Sequence, residues 1–217
     1  MITLKYQKTG RAIYLSHIDV LRHLNRTFRR ADIEVEFSQG FNPHMLTKLG
    51  IPLPLGMYSN AEYVTVNTKL SADEFLKRYN EVCVDGMDGL KAFEVEKNPN
   101  LAGKVVFAEY YIPADAMGKK TELENLSKLE SLIIAYPTRK EPLKTKDIGG
   151  LVKSVRVFPT HIQIIMDAVS LRADVLAVSL GRTYGFEVNA DKIFRINQYV
   201  KSQSGGIVEV DKFLENC

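Results

Sequence analysis

The chain has 217 residues, a formal net charge of +3, 45% apolar residues and 25% charged residues, which is ordinary for a soluble globular protein of one or two domains. No apolar run approaches the roughly 18 residues of a membrane span, and the first residues lack the apolar segment of a signal peptide. Cys83 and Cys217 lie far apart in the sequence. Their number and spacing disfavour a disulfide framework or a thiolate metal site and favour a cytoplasmic protein.

The first hundred residues predict the element order β-α-β-β-α-β. Ser16 has the character of a helix N-cap, with Asp19 three residues later, and Ser71 precedes a second helix in the same way. The predicted elements are a strand over 2–9, a helix over 17–31, a strand over 33–37, a strand over 62–68, a helix over 72–82 and a strand over 90–95. This succession is that of a ferredoxin-like domain.

After a linker at 96–100, a similar order is expected to return. The predicted elements are a strand over 104–112, a helix over 121–135, a hairpin over 152–158 and 161–167, a helix over 175–184 and a strand over 193–200. The stretch 137–148 fits no element, and residues 202–206 predict a flexible tail. We therefore expect an α+β protein with two ferredoxin-like halves packed side by side, a domain at 1–97 and a second at 101–217 with a flexible C-terminal tail.

The most distinctive segment is the polar loop, defined as Ser38-Gln39-Gly40-Phe41-Asn42-Pro43-His44. It carries no formal charge at neutral pH but holds four side chains that can hydrogen-bond, and its glycine and proline favour irregular backbone. It begins an irregular stretch, 38–60, of a length that is usually functional or disordered. The apolar residues within that stretch predict that it is packed. The sequence thus indicates where a site lies without stating a reaction.

The first predicted helix is amphipathic. Three arginines fall within about 60° of one another on a helical projection, with a fourth beside them, namely Arg22, Arg26, Arg29 and Arg30. No acidic partner is expected at the matching spacing. Arginine forks suit phosphate oxygens, and residues 1–60 hold eight Lys/Arg against four Asp/Glu. The alternative is a solvated face that pairs with Glu34 or Glu36.

Two histidines, His17 and His44, are candidates for acid–base chemistry if they meet in the fold. His17 begins the first helix on its apolar side, so its ring is expected to face the core or the loop. His23 is expected on the exposed face among the arginines, and His161 in a structural role. Their spacing is not that of a metal-binding motif, so no metal site and no cofactor are predicted.

Familiar enzyme and RNA-binding signatures are absent from the sequence. There is no phosphate-cradling Walker loop, no Gly-x-Gly-x-x-Gly, no Gly-x-Ser-x-Gly and no cluster of three cysteines. The predicted strand at 62–68 offers one aromatic ring where an RNA-recognition sheet stacks two or three bases. Binding through the helix, the loop and the groove between them remains open.

Four segments together resemble the radical SAM-linked proteins, a bacterial family of unknown function whose domain occurs alone or at the C-terminus of cobalamin-binding-type radical SAM proteins. They are Leu15-Ser16-His17-Ile18-Asp19, Arg22 with the arginines after it, Phe37 to His44, and Pro52-Leu53-Pro54-Leu55-Gly56. Met45 departs from the second proline of many relatives. The resemblance implies a radical SAM enzyme as partner, supplying iron–sulfur chemistry that this chain lacks. It implies a site at Ser16, His17, Asp19, Arg22, Ser38, Gln39, Gly40, Phe41, Asn42, Pro43 and His44.

These observations favour a non-catalytic module that presents a structured RNA, tRNA or rRNA, to a radical SAM modification enzyme. In this hypothesis the four arginines contact phosphates. Gln39, Asn42 and His44 hydrogen-bond a nucleotide or its ribose, and Phe41 stacks or anchors the loop. One alternative is a metal-independent endoribonuclease using His17 or His44, by analogy with the paired ferredoxin-like halves of CRISPR repeat-processing endoribonucleases. Another is a protein-interaction adaptor that docks through the loop.

Overall fold

The computed structural model describes residues 1–136, 141–202 and 205–217. The chain forms two compact units, one of Met1–Val105 with Tyr199–Cys217 and one of Val106–Gln198. The predicted α+β class is confirmed, since each unit combines helices with antiparallel strands. The units differ from the predicted division at 1–97 and 101–217 because the last residues associate with the first unit. The arrangement as two ferredoxin-like halves stays a prediction.

Eleven strands and six α-helices occur in the described residues. The first 104 residues contain β1 (Ile2–Lys8), a 3₁₀ turn (Gly10–Tyr14), α1 (His17–Arg30), β2 (Lys48–Leu49), β3 (Tyr58–Val66), α2 (Ala72–Val82), β4 (Gly89–Glu94) and α3 (Leu101–Lys104). The remainder contains β5 (Val105–Pro113), α4 (Lys120–Glu124), β6 (Ile133–Tyr136), β7 (Lys144–Asp147), β8 (Val152–Phe158), β9 (His161–Asp167), α5 (Ala173–Tyr184), β10 (Phe194–Lys201), β11 (Ile207–Glu209) and α6 (Val210–Leu214). None of the described helices has the length and apolar character needed to cross a membrane.

Four strands of the first unit lie in the order β4-β1-β3-β2, and each of these neighbouring pairs is antiparallel. Helices α1 and α2 begin where the sequence predicts. The Ser16 hydroxyl accepts a hydrogen bond from the Asp19 backbone N–H, and the Ser71 hydroxyl accepts one from Glu74. Each cap satisfies a backbone donor that the helix leaves unpaired and stabilises its helix by about 1 kcal/mol.

The core of the first unit lies between these two helices and the sheet. Phe28 of α1 is fully buried, and its ring centroid lies 5.7 Å from that of Phe75 and 6.1 Å from that of Tyr79, both on α2. Other buried members of this cluster come from the strands and from α1, namely Ile2, Leu4, Val20, Leu24, Val64 and Val66. Because α1 buries this side, its opposite side faces solvent.

The predicted strand at 33–37 is wrong. Ile33 and Val35 are buried as the alternation suggests, but Phe37 is exposed and makes only an isolated antiparallel bridge to Met45. The segment is therefore diverted into closing the polar loop instead of joining the sheet. The two residues of β2, which come later in the chain, pair with β3 at Thr65 and Val64.

The predicted helix over 121–135 is also wrong after Glu124, where α4 ends. The Asp147 carboxylate accepts hydrogen bonds from the Ser131 hydroxyl (2.7 Å), the Leu132 N–H (2.8 Å) and the Gly149 N–H (2.9 Å). These contacts hold the chain extended, so the following residues form β6 and pair with β7. The partner that overrides the helical pattern is remote in sequence, and β7 lies in the stretch for which no element is predicted. Residues 137–140 of that stretch lie outside the described residues.

The C-terminal segment is tied to the sheet of the first unit. Asp211 of α6 accepts hydrogen bonds from the Lys5 ammonium and the Tyr63 hydroxyl, both at 2.7 Å. A further ion pair joins Lys91 to Glu215 at 2.6 Å. The predicted flexible tail includes residues 203 and 204, which lie outside the described residues.

Candidate functional site

The polar loop is closed at its base by paired hydrogen bonds. The Ser38 N–H donates to the His44 carbonyl oxygen at 2.8 Å, and the His44 N–H donates to the Ser38 hydroxyl at 3.1 Å. The same hydroxyl lies 2.8 Å from His44 Nδ1. The bridge between Phe37 and Met45 continues the pairing outside the loop. Residues 39–43 therefore project from a stem that is fixed on both sides.

The tip of the polar loop is presented to solvent. Phe41 is 107% exposed, and Gly40 has a φ of +119°, which favours glycine at this turn. Gln39, Asn42 and Pro43 are exposed as well. The prediction that the apolar residues of 38–60 are packed is therefore wrong for Phe41 and Leu55, although others in the stretch are buried. A fully exposed phenylalanine on a polar turn is available to stack on a flat partner.

The exposed side of α1 carries the arginine face, defined as Arg22, Arg26 and Arg29. The expectation of no acidic partner is wrong for Arg22, whose Nη1 lies 3.3 Å from Asp19 Oδ1. The pKa of Asp19 is lowered, first by the hydrogen bond from the Ser16 hydroxyl and then by Arg22. Since both partners are exposed, this ion pair is weak.

Glu34 and Glu36 do not neutralise the arginine face. Within the described residues no ion pair joins either glutamate to an arginine, and Glu36 instead accepts a hydrogen bond from Asn67 Nδ2 at 2.7 Å. Arg26 and Arg29 likewise have no acidic partner among the residues that the structure describes. The two guanidinium groups are consequently available to an anion from outside.

Arg30, predicted to join the other arginines, has a different environment. Its Nη2 donates to the Thr27 hydroxyl at 3.1 Å and to the Val82 carbonyl at 3.2 Å, so it links α1 to the end of α2. His23 is half-buried instead of fully exposed, with Nε2 3.3 Å from the Thr27 hydroxyl. Burial lowers the pKa of His23, and the charges of Arg30 and Arg26 lower it further.

A hydrogen bond fastens the chain after the polar loop to α1. The Thr47 hydroxyl donates to Asn25 Oδ1 at 2.7 Å. At about 100° per residue, Asn25 lies roughly 60° around the helix from Arg22 and roughly 40° from Arg29. The stem of the polar loop is thus attached at the flank of the arginine face, and the sequence prediction did not include this link.

His17 is exposed instead of facing the core, and the structure does not place it in one cavity with His44. It lines a cavity of about 10 Å³, large enough for one water, together with the buried Lys8 and Glu62. It also lines a larger cavity of about 330 Å³ that includes Lys48. His44 lines neither cavity, and its Nδ1 contacts Ser38.

The sequence prediction missed two buried polar residues that line the small cavity with His17, namely Lys8 and Glu62. Lys8 is 2% exposed and its ammonium donates to the Leu15 carbonyl at 2.8 Å, while Glu62 is 5% exposed. The sequence does contain a signal for the burial of Lys8, because Lys8 continues the buried even-numbered positions of β1. Within the described residues no group of three or more His, Cys, Asp or Glu side chains is arranged to hold a metal ion.

The comparison with known families covers most of the chain. Residues 1–179 match the model of a family described as an uncharacterized protein conserved in bacteria (DUF2344). The match includes the polar loop and the arginine face and ends within α5. No curated protein matches the chain.

Proposed function

The chain belongs to this family of uncharacterized bacterial proteins, and we propose that it is a non-catalytic module that binds structured RNA, tRNA or rRNA. The main support for this proposal is that the exposed tip of the polar loop and the arginine face are both attached to α1. The polar loop presents Phe41 fully to solvent, and its stem is fastened through Thr47 and Asn25 to the flank of the arginine face. Cationic forks beside an exposed ring suit phosphates next to unpaired bases.

The arginine face supplies the phosphate contacts in this proposal. Arg26 and Arg29 lack an acidic partner within the described residues, and the single acidic contact of Arg22 is exposed. A phosphate diester presents oxygens that a guanidinium contacts two at a time, so these residues bind backbone without reading sequence. Arg30, which is engaged with Val82, contributes less than the sequence pattern suggests.

The polar loop supplies contacts to a nucleotide. Gln39 and Asn42 are exposed and offer amide donors and acceptors, while Phe41 offers a stacking surface. Ser38 holds His44 at the base, so the loop is pre-organised and loses less conformational entropy on binding. The loop therefore adds specificity to the phosphate contacts of the arginine face.

The proposed partner is a radical SAM enzyme in the bacterial cytoplasm, to which this module presents its RNA. The partner rests on the resemblance of the motifs at 15–22, 37–44 and 52–56. The proposed ferredoxin-like architecture is supported in the first unit by the strand order β4-β1-β3-β2 with two helices. Co-expression with a radical SAM protein and affinity capture test the partner directly, and failure of the two proteins to co-purify would contradict it.

A protein-interaction surface is the second candidate, and one observation favours it. Tyr14, Ile18 and Leu55 are respectively 71%, 60% and 62% exposed. The Gly56 N–H donates to the Ile13 carbonyl at 3.0 Å, which places the turn after Leu55 against the 3₁₀ turn that ends at Tyr14. Large exposed apolar side chains at neighbouring turns are typical of contact sites for proteins.

Fluorescence anisotropy with labelled tRNA at low salt tests RNA binding. Arg26→Glu/Arg29→Glu is expected to weaken binding at least about tenfold, because two phosphate contacts become repulsive. Lys153→Glu/Lys192→Glu makes the same change in net charge at exposed lysines of the second unit and is expected to bind like the wild type. Equal binding by all three proteins would show that the arginine face does not contact the RNA. Cleavage of the tRNA during the incubation would favour the endoribonuclease alternative.

A further inference from the structure

The edge cavity, of about 330 Å³, lies in the first unit beside the N-terminal half of α1. Its lining includes His17 and Leu21 of α1, Lys48 and Leu49 of β2, and Asn98 and Asn100 of the segment after β4. The volume is at the small end of the roughly 300–1,000 Å³ of ligand sites. The edge cavity therefore suits one ring-sized group instead of a large ligand.

Several polar side chains belong to this lining. In the described residues the His17 ring, the Lys48 ammonium, the Asn100 side-chain amide and the Asn98 Nδ2 make no hydrogen bond. Asn98 Oδ1 accepts from the Asn100 N–H at 3.0 Å, which fixes the turn that carries both amides. Four exposed residues with hydrogen-bonding side chains thus line the edge cavity, and polar side chains of this kind orient ligands in binding sites.

The edge cavity is lined by both polar and apolar residues, and its apolar part includes Leu21, Leu49 and Leu101. No aspartate or glutamate is among its described lining residues, so it offers no carboxylate to a cation. Apolar walls suit the flat face of a ring, whereas the amides and the imidazole suit polar atoms at the edge of that ring. A nucleobase has both properties, and the Lys48 ammonium suits its phosphate.

The edge cavity and the arginine face occupy neighbouring sides of the same helix. Leu21 precedes Arg22 directly, and the two side chains are about 100° apart around α1. Thr47, which anchors to Asn25 between these two sides, also lines the edge cavity. An RNA strand with its phosphates on the arginine face therefore has a base-sized cavity one side further around the helix.

We propose that the edge cavity accepts one unpaired base of the RNA whose backbone lies on the arginine face. The base enters between Leu21 and Leu49, the amides of Asn98 and Asn100 contact its polar edge, and Lys48 contacts the adjoining phosphate. This inference rests on the proposed function. It adds that the module selects an RNA with an unpaired nucleotide over a continuous duplex.

Methyl NMR spectroscopy of protein labelled at its leucine methyl groups tests the inference. Three probes are titrated: an RNA hairpin with an unpaired loop, a blunt RNA duplex of the same length, and a mixture of the four free ribonucleoside monophosphates. The hairpin is expected to shift the methyl signals of Leu21, Leu49 and Leu101 through the ring current of an inserted base. The duplex is expected to bind without shifting them, and the monophosphates to leave them unchanged at equal nucleotide concentration.

Any other outcome contradicts the base site, the proposed RNA-binding function, or both. Binding of the hairpin without shifts of these leucines would leave the proposed function standing and refute the base site. Shifts caused by free monophosphates without RNA binding would identify a free-nucleotide site and refute both proposals. Binding of neither RNA would refute the proposed function and, with it, this inference.

Variants of the lining provide an independent check. Asn100 has a left-handed φ of +52°, so Asn100→Gly removes the amide and retains the backbone conformation. Asn100→Gly/Lys48→Met is expected to weaken hairpin binding at least about fivefold and to leave duplex binding unchanged. Lys153→Met is the matched control on β8. Equal losses for hairpin and duplex, or no loss for either, would contradict a base in the edge cavity.

Discussion

Ser38 and His44 close the polar loop from both ends, because the Ser38 hydroxyl contacts the Nδ1 atom of His44 at 2.8 Å and the His44 N–H at 3.1 Å. A single hydroxyl thus bonds the backbone and the side chain of a residue six positions later. The contact determines that Phe41 is held at the tip of a fixed turn. The same contact fixes the His44 ring at the base of the loop.

Replacement of Ser38 by alanine tests the importance of this closure. Ser38→Ala removes both contacts of the hydroxyl, so the loop is expected to be ordered less often and the affinity for tRNA to fall about threefold to tenfold. The free energy of unfolding is expected to change by about 1 kcal/mol or less, because the loop is exposed. Anisotropy and urea unfolding measure the two quantities. Ser154→Ala on β8 is the control, and unchanged affinity in Ser38→Ala would contradict a role for the closed loop.

The hydrogen bond between Thr47 and Asn25 is expected to couple the loop stem to α1. Thr47→Val and Asn25→Ala each remove one partner, and a double-mutant cycle is expected to give a coupling of about 0.5–1.5 kcal/mol in the free energy of unfolding. Urea unfolding of the wild type, both single variants and the double variant measures it. Strict additivity of the two substitutions would show that the contact does not stabilise the fold.

Asp211 is expected to hold the C-terminal helix on the first unit. Its carboxylate accepts from Lys5 and Tyr63, both at 2.7 Å, and only about a quarter of its side chain is exposed. Asp211→Asn removes the charge and is expected to lower the free energy of unfolding by about 1–3 kcal/mol. Urea unfolding provides the comparison, with the exposed Asp191→Asn as the matched control. Equal stability of the two variants would contradict the anchoring role.

His161 is expected to titrate below its ordinary pKa of 6.5, because burial disfavours the charged imidazolium. Its ring is stacked 4.3 Å from Tyr111 and 4.5 Å from Phe158. The folded state favours the neutral form of His161. The contribution of His161 to the free energy of unfolding is therefore complete above the pKa of the unfolded state, and it is lost as the pH falls through 6.5 towards the lower pKa of the folded state. NMR titration of the ring protons measures the pKa, and Phe158→Ala is expected to raise it. A pKa of His161 at or above 6.5 in the wild type would contradict the effect of burial.

Local signals in the sequence predicted the parts of the fold that depend on neighbouring residues. Ser16 and Ser71 lie three residues before the N–H groups that they cap, so a short window contains both partners. The exposure of Arg26 and Arg29 follows from the helical spacing of the apolar residues opposite them. The same reasoning located the polar loop, because its composition excludes regular structure.

Remote partners explain the predictions that were wrong. The apolar spacing at 121–135 gives no indication that Asp147 holds Leu132 extended, and the alternation at 33–37 does not show that Phe37 pairs with Met45. Nor does helical spacing reveal that Arg30 bonds the carbonyl of Val82. In each case the deciding contact comes from a segment whose position depends on the tertiary fold.

The salt dependence of RNA binding tests the central claim most directly. In a plot of the logarithm of the tRNA association constant against the logarithm of salt concentration, the slope reports the number of phosphates neutralised, at about 0.7–0.9 per contact. Arg26→Gln/Arg29→Gln removes two of the proposed contacts, so its slope is expected to be shallower than that of the wild type by about 1.5. Lys153→Gln/Lys192→Gln is expected to keep the wild-type slope. Identical slopes for all three proteins, or no binding of tRNA at low salt, would contradict an RNA-binding role for the arginine face.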